Sequence, residues 1–178
     1  PQVPVCAKMI PMTPSNHPEM QRSDKTITDP AELDDILWRG QVCRIALHDE
    51  PYPYIVPLNY GYERSDGVPT LFFHAAGKGQ KIDLIRRNPR ASFVVDVDHQ
   101  LVTDEEACRF TMYYASVAGV GNIELLEELT DKRTAMQRVM YHYTERADWD
   151  FPDAVLRNMS LFILRAGEIT GKRSPAPR

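Results

Sequence analysis

An antiparallel β barrel with flanking helices is the fold class that the sequence predicts, and three observations carry it. Several short runs show the period-two alternation of half-buried strands. Only two or three stretches show helical spacing, and the two kinds never alternate as the strand–helix–strand units of a parallel sheet. At 178 residues the chain is of single-domain size, with room for a substantial core. A formal charge of -4, with scattered basic residues, speaks against a partner such as the nucleic-acid backbone. Cys6, Cys43 and Cys108 are odd in number and far apart, which fits neither a disulfide framework nor a zinc knuckle. No apolar run approaches the ~18 to 20 residues of a membrane span, and the start lacks the layout of a secretory signal. A cytoplasmic protein with no membrane or nucleic-acid partner is therefore expected.

Residues 1–21 carry Pro4, Pro11, Pro14 and Pro18 with little apolar periodicity and read as an irregular arm, in which His17 is a solvated loop residue. The domain proper is assigned to 22–178. Asp29-Pro30-Ala31-Glu32 supplies an N-cap, a first-turn proline and an acid for a helix that shows Leu33, Ile36 and Leu37 on one face and ends at Gly40. Trp38, near its end, is expected to pack. Val42 to Leu47 alternates as a strand with Cys43, Ile45 and Leu47 on the apolar face, so Cys43 is a small core side chain. After the turn Asp49 to Pro53, a strand is predicted from Tyr54 to about Glu63. Pro57 within it donates no ladder bond and belongs at an edge or bulge, which frees neighbouring backbone groups.

Ser65-Asp66-Gly67 closes a hairpin into the apolar run from Leu71 to His74. Gly77 and Gly79 then punctuate the chain, and a helix with Ile82 and Ile85 runs to the stop at Asn88-Pro89. Lys78 and Lys81 lie at the start of this helix, where the exposed amides and the macrodipole disfavour cations by roughly 0.3 to 1 kcal/mol each. A phosphate there resolves the conflict: glycines admit its oxygens to the backbone, the helix start donates hydrogen bonds, and the lysines neutralise charge. His74, at the strand's end beside this turn, faces whatever the phosphate carries. Arg86 and Arg87 suit the helix C-terminus.

A further strand spans Ala91 to Val97, and Asp98 to Glu106 reads as a polar acidic loop without a convergent metal site. Arg109 to Gly119 alternates, with Gly119 and Gly121 permitting a bend or the close approach of a flat ring, and continues through Ile123 and Leu125. Thr130 opens a helix with Ala135, Met136, Val139, Met140 and Tyr143 at core spacing, and His142 on it is expected at the surface. Met159 to Ile169, with the apolar run Leu161, Phe162, Ile163 and Leu164, is the last strand. Neither a Rossmann glycine fingerprint nor a Walker lysine occurs, which disfavours dinucleotide and triphosphate enzymes.

Six segments in order resemble the flavin-binding split-barrel family typified by pyridoxamine 5'-phosphate oxidase, most closely its nitroimidazole-resistance branch. They are Arg22 to Asp29, Val56-Pro-Leu-Asn-Tyr60, the His-x-Ala-x-x-Gly-x-Lys pattern from His74 to Lys81, Arg86-Arg-Asn-Pro89, Tyr114-Ala-Ser-Val117 and Ile169-Thr-Gly-Lys172. The resemblance implies a split β barrel, FMN as cofactor, and a homodimer with the flavin between subunits. It implies that Gly77, Lys78, Gly79, Gln80 and Lys81 hold the phosphate, and that His74, Ala75 and Ala76 lie along the ribityl chain and ring. Pro57, Leu58, Asn59 and Tyr60 should border the isoalloxazine, with Ser116 and Val117 at the strand position that contacts the ring. Serine here replaces the oxidase's glutamine, and the oxidase's basic C-terminal motif is missing, so reduction of a nitro-aromatic small molecule is the implied reaction. His74 is the candidate proton donor. The alternative is a flavin- or haem-binding module without turnover, with His48, His74 and His142 as the histidines that come into question for haem.

Overall fold

The computed structural model describes residues 23–174, so the predicted arm lies outside the described residues. Eight strands form one antiparallel sheet: β1 (Thr26–Ile27), β2 (Cys43–Leu47), β3 (Tyr54–Leu58), β4 (Gly61–Ser65), β5 (Val68–Ala76), β6 (Arg90–Val102), β7 (Thr111–Leu126) and β8 (Met159–Arg173). The helices are α1 (Pro30–Arg39), α2 (Gln80–Arg87), α3 (Leu129–Thr144) and α4 (Asp153–Arg157). Strand order is β3-β2-β6-β7-β8-β5-β4, with β1 also on β8. The long β8 meets β5 through its first half, Met159 to Arg165, and β1 at Gly171 and Lys172.

The core explains which strands alternate. β2 alternates because only one face is buried, and Cys43, Ile45 and Leu47 all point inward as predicted. β5 and β8 do not alternate, because each is covered on both faces. Leu71, Phe73, Phe162 and Leu164 enter the main core, whereas Phe72, Leu161 and Ile163 pack outward against Ala135, Val139 and Leu156 of α3 and α4. α1 begins as expected, with the Asp29 carboxylate accepting from the Ala31 amide at 3.0 Å. Trp38 packs edge-on to His142 and beside Tyr141.

Three expectations are corrected, and a fourth, the ring at Gly119, is met from within the core. The strand predicted from Tyr54 to Glu63 is two strands that part at Asn59 and Tyr60, β3 pairing with β2 and β4 with β5. The acidic loop begins later, because β6 runs to Val102 through an irregularity between Val97 and Gln100, and Asp98 there is held by the Arg39 guanidinium. The flat ring that approaches Gly119 is Phe93 of the core itself: a Cβ at Gly119 would lie 2.6 Å from that ring. His142 is half-buried, its Nε2–H donating to the Gly40 carbonyl at 2.7 Å within a cluster of Trp38, Tyr60 and Tyr143.

Candidate functional site

β5 delivers His74, Ala75 and Ala76 to the turn Gly77-Lys78-Gly79, and α2 starts immediately after it. Gly79 caps the helix with φ 137° and no side-chain cap, and the Ile82 and Asp83 amides close on its carbonyl. The Gln80 and Lys81 amides therefore have no acceptor within the helix. The turn is open above and braced below. A Cβ at Gly79 would meet nothing within 4 Å, whereas one at Gly77 would lie 2.7 Å from the Asn158 carbonyl, and the Ser160 hydroxyl donates to the Gly77 carbonyl at 3.3 Å.

Cations without partners collect at this opening. Arg86 and Arg87 are matched with Asp83 and Asp49, and Gln80 donates to Asp49 at 3.0 Å, but neither Lys78 nor Lys81 has a carboxylate partner among the described residues. Burial pushes the half-buried Lys81 ammonium below its usual pKa. His74 Nδ1 is buried with no hydrogen-bond partner among the described residues, and burial, then the Lys81 charge, lowers the imidazole's pKa. An anion set against the free amides would relieve both groups at once.

The second wall of the site is the place where β3 and β4 part. β3 is an edge strand, the place in a sheet where a proline such as Pro57, opposite Arg44, is accommodated. β4 pairs with β5 only as far as Gly61 opposite Phe72, and beyond that point Phe73 to Ala76 keep β8 alone as partner. Two strand edges with unpaired backbone groups thus diverge from one point. The Tyr60 and Phe73 rings still stand 6.2 Å apart there, and Leu58 and Ala75 both pack against the main core. Asn59 is exposed, but the Tyr60 side chain is fully buried and its hydroxyl donates to the Leu37 carbonyl. Only the main chain of Tyr60 can face a ligand.

Ser116 and Val117 are not brought to His74 within one chain. Val117 is buried in the core, and Ser116 points outward, its hydroxyl 3.4 Å from the Lys172 carbonyl. Ser116 pairs with Lys172 and His74 with Leu161, eleven residues apart on β8, or roughly 35 Å along an extended strand. Ser116 instead shares an outer sheet face with Pro57, Val94 and Ala118, on which Ile55 is 65% exposed. Of the other two histidines that come into question for haem, His142 has its Nε2 committed to Gly40, and His48 is largely exposed, 3.8 Å from Glu50. Asp49 and Tyr143, which anchor the α2 start and the Asn59 region, lie far from those segments in sequence.

A single antiparallel barrel, split where β3 and β4 part and carrying a glycine-lysine turn at its β5–α2 corner, defines a split-barrel protein. The chain belongs to the pyridoxamine 5'-phosphate oxidase family, whose model matches residues 29–173. Among solved structures it is similar to a candidate 5-nitroimidazole antibiotic resistance protein from Bacteroides thetaiotaomicron, at 30% identity over 83% of this chain and 86% of that one, with a TM-score of 0.73. The fold is shared with the flavocytochrome Anf3 from Azotobacter vinelandii, at 16% identity over 94% and 78% of the two chains and a TM-score of 0.76. It is shared also with an FAD and heme binding protein from Mycobacterium smegmatis, at 18% identity over 85% and 74% and a TM-score of 0.74. No curated protein matches. Among the described residues no helix is long and apolar enough to cross a membrane.

Proposed function

We propose that the protein binds FMN and works as a flavin-dependent oxidoreductase that reduces nitro-aromatic small molecules. The observation that carries this reading is the α2 start without a side-chain cap, with two lysines and the Nδ1 of His74 beside it that have no partner among the described residues. The residues present fit a flavin monophosphate: Gly77, Gly79 and Gln80 offer backbone and amide donors, and Lys78 and Lys81 offer charge. Ala75 and Ala76 are small enough to leave room for a ribityl chain, and Pro57, Leu58, Asn59 and the Tyr60 main chain border a flat ring. Flavin bound here in its reduced form would supply the electron pair. His74 holds the proton that a nitro oxygen needs as that pair arrives. In the free protein its lowered pKa keeps the imidazole neutral near pH 7; a phosphate beside Lys81 offsets the lysine charge and raises it.

The separation of Ser116 from His74 supports a homodimer. Both can serve one ring only if Ser116 comes from a second copy, across the outer sheet face that it shares with Ile55 and Pro57. The test is a titration of the purified protein with FMN, followed by flavin fluorescence, and then turnover of a nitroimidazole by the chemically reduced complex. Binding with turnover is expected. A protein that leaves FMN fluorescence untouched does not have this function.

A further inference from the structure

Where β3 and β4 part, one hydroxyl gathers three groups. Tyr143 Oη lies 2.5 Å from the Gln41 carbonyl oxygen, 3.1 Å from the Tyr60 amide nitrogen and 3.3 Å from Asn59 Nδ2, and Asn59 Nδ2 also lies 3.2 Å from the Gln41 oxygen. The chemistry of these atoms leaves one assignment of protons. A carbonyl oxygen only accepts, so Tyr143 spends its single hydrogen on Gln41. The Asn59 atom facing Gln41 must be its NH2 group, since a flipped amide would set oxygen against oxygen. With its hydrogen used, Tyr143 Oη has lone pairs for the Tyr60 N–H and for the Asn59 amide. The Gln41 oxygen and Tyr143 Oη stand too close together to be served separately by the two diverging hydrogens of one NH2 group, so they share one of them. The NH2 end of the amide is thereby held inward, and Oδ1 is the acceptor that the exposed side chain has left.

We propose that Asn59 accepts a hydrogen bond from the imide N–H on the pyrimidine edge of the flavin, and that Tyr143 is the positioning residue that locks the Asn59 amide for this task. The inference rests on the flavin reading above and adds a selectivity to it. That edge presents one N–H between two carbonyls, so an acceptor at Asn59 rewards the N–H. An amide free to turn would offer its NH2 group to either carbonyl and lose the distinction. Removal of Tyr143 also orphans the Tyr60 N–H at the point where the chain must leave one sheet edge for the other.

The experiment compares FMN with its N3-methyl analogue, in which that hydrogen is replaced, by fluorescence titration of the full chain. Wild type should prefer FMN by about tenfold or more, the scale of a lost hydrogen bond at a built site. Tyr143→Phe should still bind FMN but bring the ratio of the two affinities towards unity. Asn59→Leu, at an exposed position, should do the same and serves as the test if Tyr143→Phe does not fold. Equal binding of both flavins by wild type overturns the inference and leaves the flavin reading intact. A preference that survives Asn59→Leu overturns it too, because the methyl group is then excluded by something else. Failure to bind either flavin defeats the flavin reading, and this inference falls with it.

Discussion

Lys81 lies close enough to His74 for its positive charge to depress the imidazole's pKa, in the same direction as the burial that both side chains share. Two groups that would each carry a proton are thus held together at the mouth of α2 with no anion among the described residues to reconcile them. Such a pair costs stability in the free protein, and a negatively charged ligand converts that cost into affinity.

Lys81→Ala should therefore weaken FMN binding by about 1.5 to 3 kcal/mol, the range of a charge-assisted hydrogen bond, while leaving the fold intact. Fluorescence titration against wild type gives the number, and thermal melting in the absence of flavin gives the control. Because the lysine is held at a cost, the ligand-free variant should melt no lower than wild type. A variant that binds FMN as well as wild type would detach the turn from the phosphate.

Binding should also raise the pKa of His74. The phosphate's charge opposes that of Lys81, so the imidazolium becomes less unfavourable, and imidazole proton shifts recorded against pH with and without FMN should show the titration moving to higher pH. A downward move would contradict the placement of the anion.

His74 and His142 predict how stability depends on pH. Burial lowers both pKa values in the folded protein, and for His142 the bond to Gly40 opposes this without cancelling it. Below an unfolded value of about 6.5 the unfolded chain binds more protons than the folded one, so stability present above that pH is lost as pH falls towards the folded values. The melting temperature should drop between about pH 6.5 and 5, by roughly 2–4 °C for each kcal/mol lost, before the carboxylates titrate. His142→Gln, which can still donate to Gly40, should flatten part of that drop.

The sequence reading recovered the barrel because most of its signals are local. Cys43, Ile45 and Leu47 alternate, Asp29-Pro30 announces a helix, and Gly77 and Gly79 announce the turn before α2, each within a few residues. The two-residue β1 and five-residue α4 are too short to show a period. The parting of β3 from β4 was invisible, since the hydroxyl that holds the Tyr60 amide lies 83 residues away on Tyr143. For His142 a signal did exist: it stands three residues after the buried Val139 and so shares its helix face.

The dimer can be tested by complementation. Ser116→Trp and Lys81→Ala each damage every site of a homodimer, but a mixed dimer keeps one undamaged site if Ser116 and Lys81 of different copies serve the same flavin. Mixing the two variants under conditions that exchange subunits should restore part of the FMN binding that each lacks alone. No restoration despite exchange would mean that one chain supplies the whole site, contrary to the distance along β8 between Lys172 and Leu161.

His74→Gln separates chemistry from architecture. Nδ1 of His74 has no partner among the described residues, so its loss breaks no hydrogen bond at that atom, and glutamine is comparable in length and uncharged. As a proton donor, His74 contributes about 10² to 10⁴ in rate. The variant should keep its FMN affinity and melting temperature while turnover of a nitroimidazole by the chemically reduced protein falls by that factor. Turnover by the variant should also be nearly independent of pH, because the titrating group is gone, whereas wild type should slow as pH rises through the His74 pKa of the flavin complex. If the substitution instead lowers FMN affinity and stability, with turnover falling only in proportion, His74 is a strut of the turn. Unchanged turnover and unchanged binding would remove it from both roles and hand the proton to solvent, which the open face above Gly79 would admit.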